Sequence, residues 1–209
     1  QALGDPRVLR DVPPRMKSPD RAGMERAVAD FLDAAGLDRR DPNLKATPRR
    51  VVEAWLEEFI DGYQRAPKAE LKERFPAGKA SKRQLVVLTR LRFHSMCPHH
   101  LLPYTGVAHV AYLPGREVVG FGRLNAILET FSHRLTLQEE IARNVARALK
   151  EELTSPATAC ILEAEQTCLR LRGGHQRDAV THAEAYEGLL QKDAALRSEL
   201  WARISGAAR

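Results

Sequence analysis

The sequence predicts an α+β protein, in which helices precede and separate pairs of antiparallel strands. Two stretches near the N-terminus carry apolar residues at helical spacing, and both come before any strand-like pattern. Two pairs of strand-like segments follow, and two helical segments lie between the pairs. The predicted order after the N-terminal helices is therefore strand, strand, helix, helix, strand, strand.

Residues 1–64 are predicted to form an arm followed by the two helices. The first 20 residues contain four prolines among charged residues and no apolar cluster that could form a core. Residues 21–35 place their apolar side chains on one stripe, which is typical of an amphipathic helix. Thr47 and Pro48 suit the N-cap and the first position of the second helix.

Residues 65–83 are predicted to be a connection with room for one helical turn, because they are polar, rich in lysine and interrupted by proline and glycine. Residues 84–209 are predicted to form the main domain. Its predicted strands are 84–96, 104–113, 157–172 and 179–186, and its predicted helices are 123–131, a longer one starting at Thr136, and 192–204.

Bulk properties exclude several classes of protein. No apolar run is long enough to span a membrane, and no signal-peptide pattern opens the sequence, so we expect no membrane partner. Three cysteines, an odd number, favour a reducing compartment, and we expect a cytoplasmic protein.

The net charge of +6 suits an anionic ligand such as a nucleotide, and it would also suit nucleic acid. The basic residues are dispersed among acidic ones, however, and the sequence has neither a basic tail nor an aromatic stacking platform. We therefore expect no nucleic-acid partner.

The segment 93–113 contains Cys97, His99 and His100 at a break between two strand-like runs. The Cys97 thiolate and the His100 imidazole are close enough in sequence to reach one metal ion, and Cys168 is the best candidate for a third ligand. Two cysteines and one histidine would leave one tetrahedral position of Zn²⁺ open for water, which is the pattern of a catalytic site. The alternative is a buried cysteine beside a solvated pair of histidines.

The predicted strand 157–172 places Gln166, Cys168, Arg170 and Arg172 on one face, because alternate residues of a strand point the same way. A metal ligand and cationic side chains could then line one cleft. Cys160 has apolar neighbours and is interpreted as a small core residue.

The order and spacing of these residues resemble the GTP cyclohydrolase I family. The matching residues are Thr47, Pro48, Arg50, Cys97, His99, His100, Gly120, Leu124, Arg134, Gln138, Glu139, Cys168 and Arg172. The resemblance runs from the first helix to the C-terminus. It implies a tunnelling fold, ββααββ, whose subunits close into a ring-shaped barrel and form a homodecamer with active sites between subunits.

The resemblance also implies the conversion of GTP to dihydroneopterin triphosphate and formate, with 84–209 as the catalytic domain. Cys97, His100 and Cys168 would bind Zn²⁺, and His99 would carry protons during the addition of water to C8 of guanine.

Substrate binding is implied for a further set of residues. Gln138 and Glu139 would anchor guanine, although Thr136 to Glu139 also has the pattern of a helix-capping box. The arginines that would contact ribose or phosphates are Arg50, Arg123 and Arg172, although a single arginine is more often ordinary surface charge.

Several positions depart from the family pattern, among them Arg123, which replaces a lysine, and 174–180, which replaces a stretch rich in serine and threonine. Gln166 stands where the family usually has a second catalytic histidine, and glutamine cannot carry a proton at neutral pH. Pro98, Gly122 and Ala126 replace a glutamate, a serine and an arginine of the family.

Three functions therefore stay open. The first is an ordinary GTP cyclohydrolase I. The second is a diverged relative that stops at ring opening, or acts on another guanine nucleotide or purine. The third is a catalytically inactive assembly that binds a nucleotide or a partner.

Overall fold

The computed structural model of the chain describes residues 18–78, 84–172 and 176–206. The predicted N-terminal arm up to residue 17 and the end of the predicted connection, 79–83, lie outside the described residues. The chain divides into two compact units, Gln1–Glu58 and Phe59–Arg209. No helix among the described residues is long and apolar enough to cross a membrane.

The first unit contains two helices, α1 (Arg21–Ala34) and α2 (Thr47–Ala54), as the sequence predicts. Asp20 caps α1 by accepting a hydrogen bond from the Gly23 backbone N–H at 2.8 Å. The prediction for the start of α2 is wrong by one residue. Ala46 is the N-cap, so Thr47 is already helical, and one turn of π-helix, Trp55–Phe59, extends the element.

The second unit is built around an antiparallel sheet. Its elements are α3 (Pro67–Glu70), β1 (Arg74–Pro76), β2 (Val86–Met96), β3 (Pro103–Leu113), β4 (Glu117–Val119), α4 (Phe121–Ser132), α5 (Gln138–Leu153), β5 (Ala157–Gln166), α6 (Thr167–Arg170), β6 (Thr181–Gly188), α7 (Leu189–Lys192) and α8 (Ala194–Gly206). The main sheet has the strand order β2-β3-β5-β6, with every neighbouring pair antiparallel. The predicted ββααββ order of the main elements is therefore confirmed, and the α+β class with it.

Two layers of helices cover the sheet. Tyr104, Tyr112 and Leu162 point toward α4 and α5, and each is at most 2% exposed. Ile161 and Leu200 belong to a second apolar cluster on the opposite face, where α8 packs. Alternate residues of β3 and β5 thus supply two different cores, as the two faces of a strand should.

The two shortest strands, β1 and β4, pair with each other as a separate ribbon that the sequence does not predict. Three residues are too few to show a period of two. Beside β1, the single helical turn expected in the connection is present as α3.

The prediction of one strand from 157 to 172 is wrong, because β5 ends at Gln166. Gln166 pairs with Tyr104, so the next residue, Thr167, would face Pro103. Proline has no backbone N–H and cannot extend the ladder. Instead the Thr167 hydroxyl donates to the Pro103 carbonyl, and the chain turns into α6.

Shortening a buried side chain of the core should lower the free energy of unfolding. Leu149 of α5 is fully buried, so Leu149→Ala is expected to lower the free energy of unfolding by about 2–5 kcal/mol through lost burial and a cavity. Leu189→Ala is the matched control, because Leu189 is 50% exposed. Denaturant unfolding of both variants measures the difference, and equal losses would contradict this view of the core.

Candidate metal and substrate site

The loop 97–102 joins β2 to β3 and carries the first two candidate metal ligands. The Cys97 N–H donates to the Leu102 carbonyl, and the Leu101 N–H donates back to the Cys97 carbonyl, both at 2.9 Å. Leu101 has a φ of 54°, a left-handed conformation that tightens the turn. The Cys97 Sγ and the His100 Nδ1 are consequently 3.5 Å apart.

The residue before this loop is held by a second segment. The Met96 N–H donates to the Arg134 carbonyl at 3.3 Å, and the Thr136 N–H donates to the Met96 carbonyl at 3.2 Å. The Ser95 hydroxyl also donates to the Arg134 carbonyl, at 3.2 Å. The stretch between α4 and α5 therefore fixes the end of β2, from which Cys97 follows.

Cys168 reaches the loop from α6, not from a strand, so the predicted strand face that it shares with Gln166, Arg170 and Arg172 is wrong. The ligand atoms of Cys97, His100 and Cys168 all lie within 4.8 Å of one another.

This arrangement fits zinc. A tetrahedral Zn²⁺ with its usual bond lengths would separate a sulfur and a nitrogen ligand by about 3.5 Å. The observed separation of Cys97 Sγ and His100 Nδ1 is 3.5 Å. The donor set of two thiolates and one imidazole suits zinc and leaves one tetrahedral position for water or substrate.

The electrostatics of the two thiols agree with a cation site. Partial burial raises the pKa of the Cys168 thiol, and the adjacent Cys97 raises it further. The Cys168 thiolate is therefore disfavoured beside Cys97, and a bound cation would compensate its charge. Cys160 is fully buried in β5, where burial alone raises its pKa, and its predicted place in the core is confirmed.

His99 lies next to the candidate ligand His100 and is exposed. The two imidazole rings are 6.2 Å apart at an angle of 74°. His99 therefore does not stack on His100, and its ring is open to solvent at the edge of the candidate metal centre.

Gln138 and Gln166 meet in a hydrogen-bonded network that also includes Thr181. Gln138 is only 4% exposed, and its Nε2 donates to the carbonyls of Leu162 at 3.0 Å and Thr181 at 3.1 Å. Gln166 Nε2 donates to Gln138 Oε1 at 3.2 Å, and the Thr181 hydroxyl lies 2.5 Å from the same oxygen. The side chain of Gln138 is therefore fully engaged inside the chain.

Glu139 is exposed in the first turn of α5 and makes no side-chain hydrogen bond within 18–78, 84–172 and 176–206. The capping box that the sequence allows is not formed, because the Thr136 hydroxyl donates to Glu140 at 2.9 Å and α5 has no side-chain cap. Burial raises the pKa of the Tyr104 hydroxyl, and the charges of Cys97 and Glu139 also raise it. Glu139 and the candidate metal loop thus both act on Tyr104.

Comparison with known proteins agrees with this geometry. The family profile described as GTP cyclohydrolase I matches residues 24–205. The chain belongs to the GTP cyclohydrolase I family. The relatives include a protein named GTP cyclohydrolase 1 from Chromobacterium violaceum, 40% identical over 88% of both chains. Proteins of the same name from Leifsonia xyli subsp. xyli and Ralstonia nicotianae are 41% identical over 88% of this chain and 95% of the relative, and 35% identical over 92% and 90%.

The three arginines matched to this family differ in their surroundings. Arg123, on α4, pairs with Glu73 at 2.8 Å, and both side chains are exposed. Arg172 and Arg50 are exposed and pair with no other residue in the part of the chain that the structure describes. Arg50 belongs to the first compact unit, on α2.

Two residues support the candidate site although the sequence patterns do not single them out. Nothing in the sequence marks Thr181 as a site residue, since threonine is common in strands. Arg134 is recognisable only through the family pattern. It is 4% exposed, donates from Nη2 to the Gly62 carbonyl at 2.9 Å, and has its guanidinium 5.2 Å from the Tyr63 ring centroid and 5.1 Å from that of Phe131.

The zinc assignment predicts which cysteine matters. Cys168→Ala and His100→Ala are expected to lose metal on purification, because each removes one of three protein ligands. Cys160→Ala is the matched control and should keep zinc, since Cys160 lies in the core. Metal analysis of the purified variants decides this, and full zinc occupancy in Cys168→Ala would disprove the assignment.

Proposed function

We propose that this chain is a zinc-dependent hydrolase that opens the imidazole ring of GTP at C8. The observation that carries the proposal is the convergence of Cys97, His100 and Cys168 within 4.8 Å, with His99 beside them. Membership in the GTP cyclohydrolase I family supports the choice of substrate. Zn²⁺, when bound, would act as a Lewis acid and lower the pKa of a bound water toward neutrality.

The first chemical step is a balanced hydrolysis. One water adds to C8, the C8–N9 bond breaks, and the two hydrogens of that water end on N7 and N9. His99 is proposed to move the proton to N9, because its exposed imidazole adjoins the candidate metal ligands and an imidazole can both accept and donate a proton. The product of this step is a formamide.

Guanine binding is assigned to Glu139. Its carboxylate is exposed and unused by the helix cap, so it can accept hydrogen bonds from guanine N1–H and the exocyclic amine. Gln138, by contrast, has no free donor, and we propose that it acts through Gln166. Arg172, Arg123 and Arg50 are proposed to bind the phosphates or ribose, since guanidinium groups suit phosphate oxygens.

A second activity is favoured by Gln166. Formate release needs a second water at C8 and cleavage of the C8–N7 bond, with further proton transfer. An amide at Gln166 can orient that water but cannot carry its proton. A positioned acid or base contributes typically about 10²–10⁴-fold. We therefore propose that ring opening is the more robust activity and that pterin formation is slow.

The assembly is proposed to be a closed ring, with the homodecamer of the tunnelling fold as the expected form. The main sheet has four strands, and β2 and β6 lie at its two edges. Neither edge pairs with another strand in the described part of the chain. Pairing of β2 from one subunit with β6 of the next would satisfy both.

Three free cysteines, two of them needed as thiolates, are consistent with a reducing compartment such as the cytoplasm.

Light scattering of the purified protein tests the assembly. The expected mass is that of ten chains, stable on dilution, because each open edge is covered only in a ring. A stable monomer that retains full activity would contradict the proposal.

The product of GTP turnover tests the activity. Wild type with zinc is expected to accumulate a non-fluorescent ring-opened product, and Gln166→His is expected to raise pterin fluorescence by about tenfold or more. Absence of any turnover would leave only nucleotide or partner binding. Rapid pterin formation by wild type, unchanged in Gln166→His, would identify an ordinary GTP cyclohydrolase I.

A further inference from the structure

The orientation of the Gln138 amide is fixed by two backbone carbonyls. Gln138 Nε2 lies 3.0 Å from the Leu162 oxygen and 3.1 Å from the Thr181 oxygen. A carbonyl oxygen can only accept a hydrogen bond, so the group facing these two atoms must be the NH₂ end. Gln138 Oε1 is therefore the end that faces Gln166 and the Thr181 hydroxyl, and it can only accept.

This acceptor in turn fixes Gln166. The atom of Gln166 that lies 3.2 Å from Gln138 Oε1 must be a donor, which makes it Nε2. The same Nε2 is 3.4 Å from the Thr181 hydroxyl oxygen, whose hydrogen has two acceptors within reach, Gln138 Oε1 at 2.5 Å and the Ala164 carbonyl at 3.1 Å. The other end of the amide, Gln166 Oε1, accepts no hydrogen bond from a side chain or backbone group that the structure describes.

Gln166 also lies close to the candidate metal centre along the chain and across the sheet. It is the last residue of β5, and its side chain is half-buried and not part of the closed core. Its strand partner is Tyr104, on whose hydroxyl the charge of Cys97 acts. Cys168 follows two residues later on α6.

We propose that Gln138 and Thr181 hold Gln166 as a fixed hydrogen-bond acceptor, whose Oε1 recognises an N–H or O–H group of the bound guanine nucleotide. Thr181 is then a positioning residue of this site. The inference rests on the proposed function for the identity of the ligand, but the network itself does not depend on turnover.

If the Thr181 hydroxyl had only a structural role, its loss would lower stability and would not specifically weaken nucleotide binding. The network also links α5 to β5 and β6, so loss of the Thr181 hydroxyl could simply weaken the fold. Thr158 offers a matched control on β5, because its buried hydroxyl donates to the Ala146 carbonyl at 2.6 Å and likewise joins the sheet to α5. Thr158→Val should therefore reproduce a structural effect and nothing else.

The test is equilibrium binding of GTP by calorimetry to zinc-loaded protein carrying His99→Ala, which removes the proposed proton carrier and keeps the metal ligands. In this background, Gln166→Met removes the acceptor at nearly constant size, and the Kd for GTP is expected to rise about five- to tenfold. Thr181→Val should raise the Kd about two- to fivefold, Thr181→Ser should restore it, and Thr158→Val should leave it unchanged.

The double variant Gln166→Met, Thr181→Val decides whether the two residues act together. Its Kd should match that of Gln166→Met alone, because Thr181 can matter only through the acceptor that is already lost. Zinc content and melting temperature of each variant identify any general loss of folding, and a variant that fails either check is replaced by Gln166→Leu or Thr181→Ala.

Two results would overturn the inference. The first is a Kd for GTP that is the same with and without Gln166→Met, or no measurable GTP binding. The second is a double variant whose Kd rises by the product of the two single effects. Failure of the proposed function looks different, since it appears as wild type that consumes no GTP with zinc present.

Discussion

The start of β3 at Pro103 is the constraint on which the candidate site depends. β3 is a central strand, and both β2 and β5 run antiparallel to it. The C-terminal ends of β2 and β5 must therefore lie on either side of the N-terminal end of β3. Met96 pairs with Pro103, and Gln166 pairs with Tyr104, so the chain leaves the sheet at the same level on both sides. Two cysteines far apart in sequence meet there because each follows one of these ends.

The sequence predicts this arrangement in part. Alternating and helical patterns give the order of the elements, and the types and spacing of Cys97, His100 and Cys168 give the donor set. What the patterns miss is the change from β5 to α6. Residues after Gln166 still alternate in polarity, and only the register against Pro103 shows that no strand can continue. Register is a long-range property, and it was not available from the sequence alone.

The orientation of Gln138 is a second feature that sequence cannot supply. Its residue type fits a guanine anchor, a helix start and a buried amide equally well. The structure selects the third environment through two carbonyls, one on β5 and one on β6. Glu139, one residue later, faces solvent because successive helical positions are about 100° apart. Two neighbouring residues of similar chemistry thus have different environments. Gln138 accepts a hydrogen bond from Gln166, and the Glu139 carboxylate is exposed to solvent.

The stretch between α4 and α5, which fixes the end of β2, contains a buried arginine whose hydrogen bonds are incomplete. Arg134 is buried, and its Nε and Nη1 find no acceptor among the described residues. Burial lowers the pKa of the guanidinium, as expected where the charged form loses water, while the rings of Tyr63 and Phe131 offset part of that loss. The backbone of Arg134 nevertheless receives hydrogen bonds from Ser95 and Met96, directly before Cys97. The unpaired guanidinium atoms of Arg134 therefore belong to the residue whose backbone holds the end of β2, directly before the first candidate metal ligand.

The resemblance to the GTP cyclohydrolase I family implies a histidine at the position of Gln166, and the hydrogen-bond network shows what the two side chains would share. Gln138 Oε1 accepts one hydrogen bond from the side chain at position 166, and both a neutral imidazole and an amide have an N–H that can donate it. Either side chain then presents an acceptor at its far end, nitrogen in one case and oxygen in the other. In its hydrogen-bonding pattern the network therefore suits either residue. What changes is basicity, since an imidazole nitrogen can take a proton near neutral pH and an amide oxygen cannot. Under the proposed function, a glutamine at this position would keep a hydrogen-bond acceptor for the substrate and would lack the proton transfer that a second hydrolysis needs.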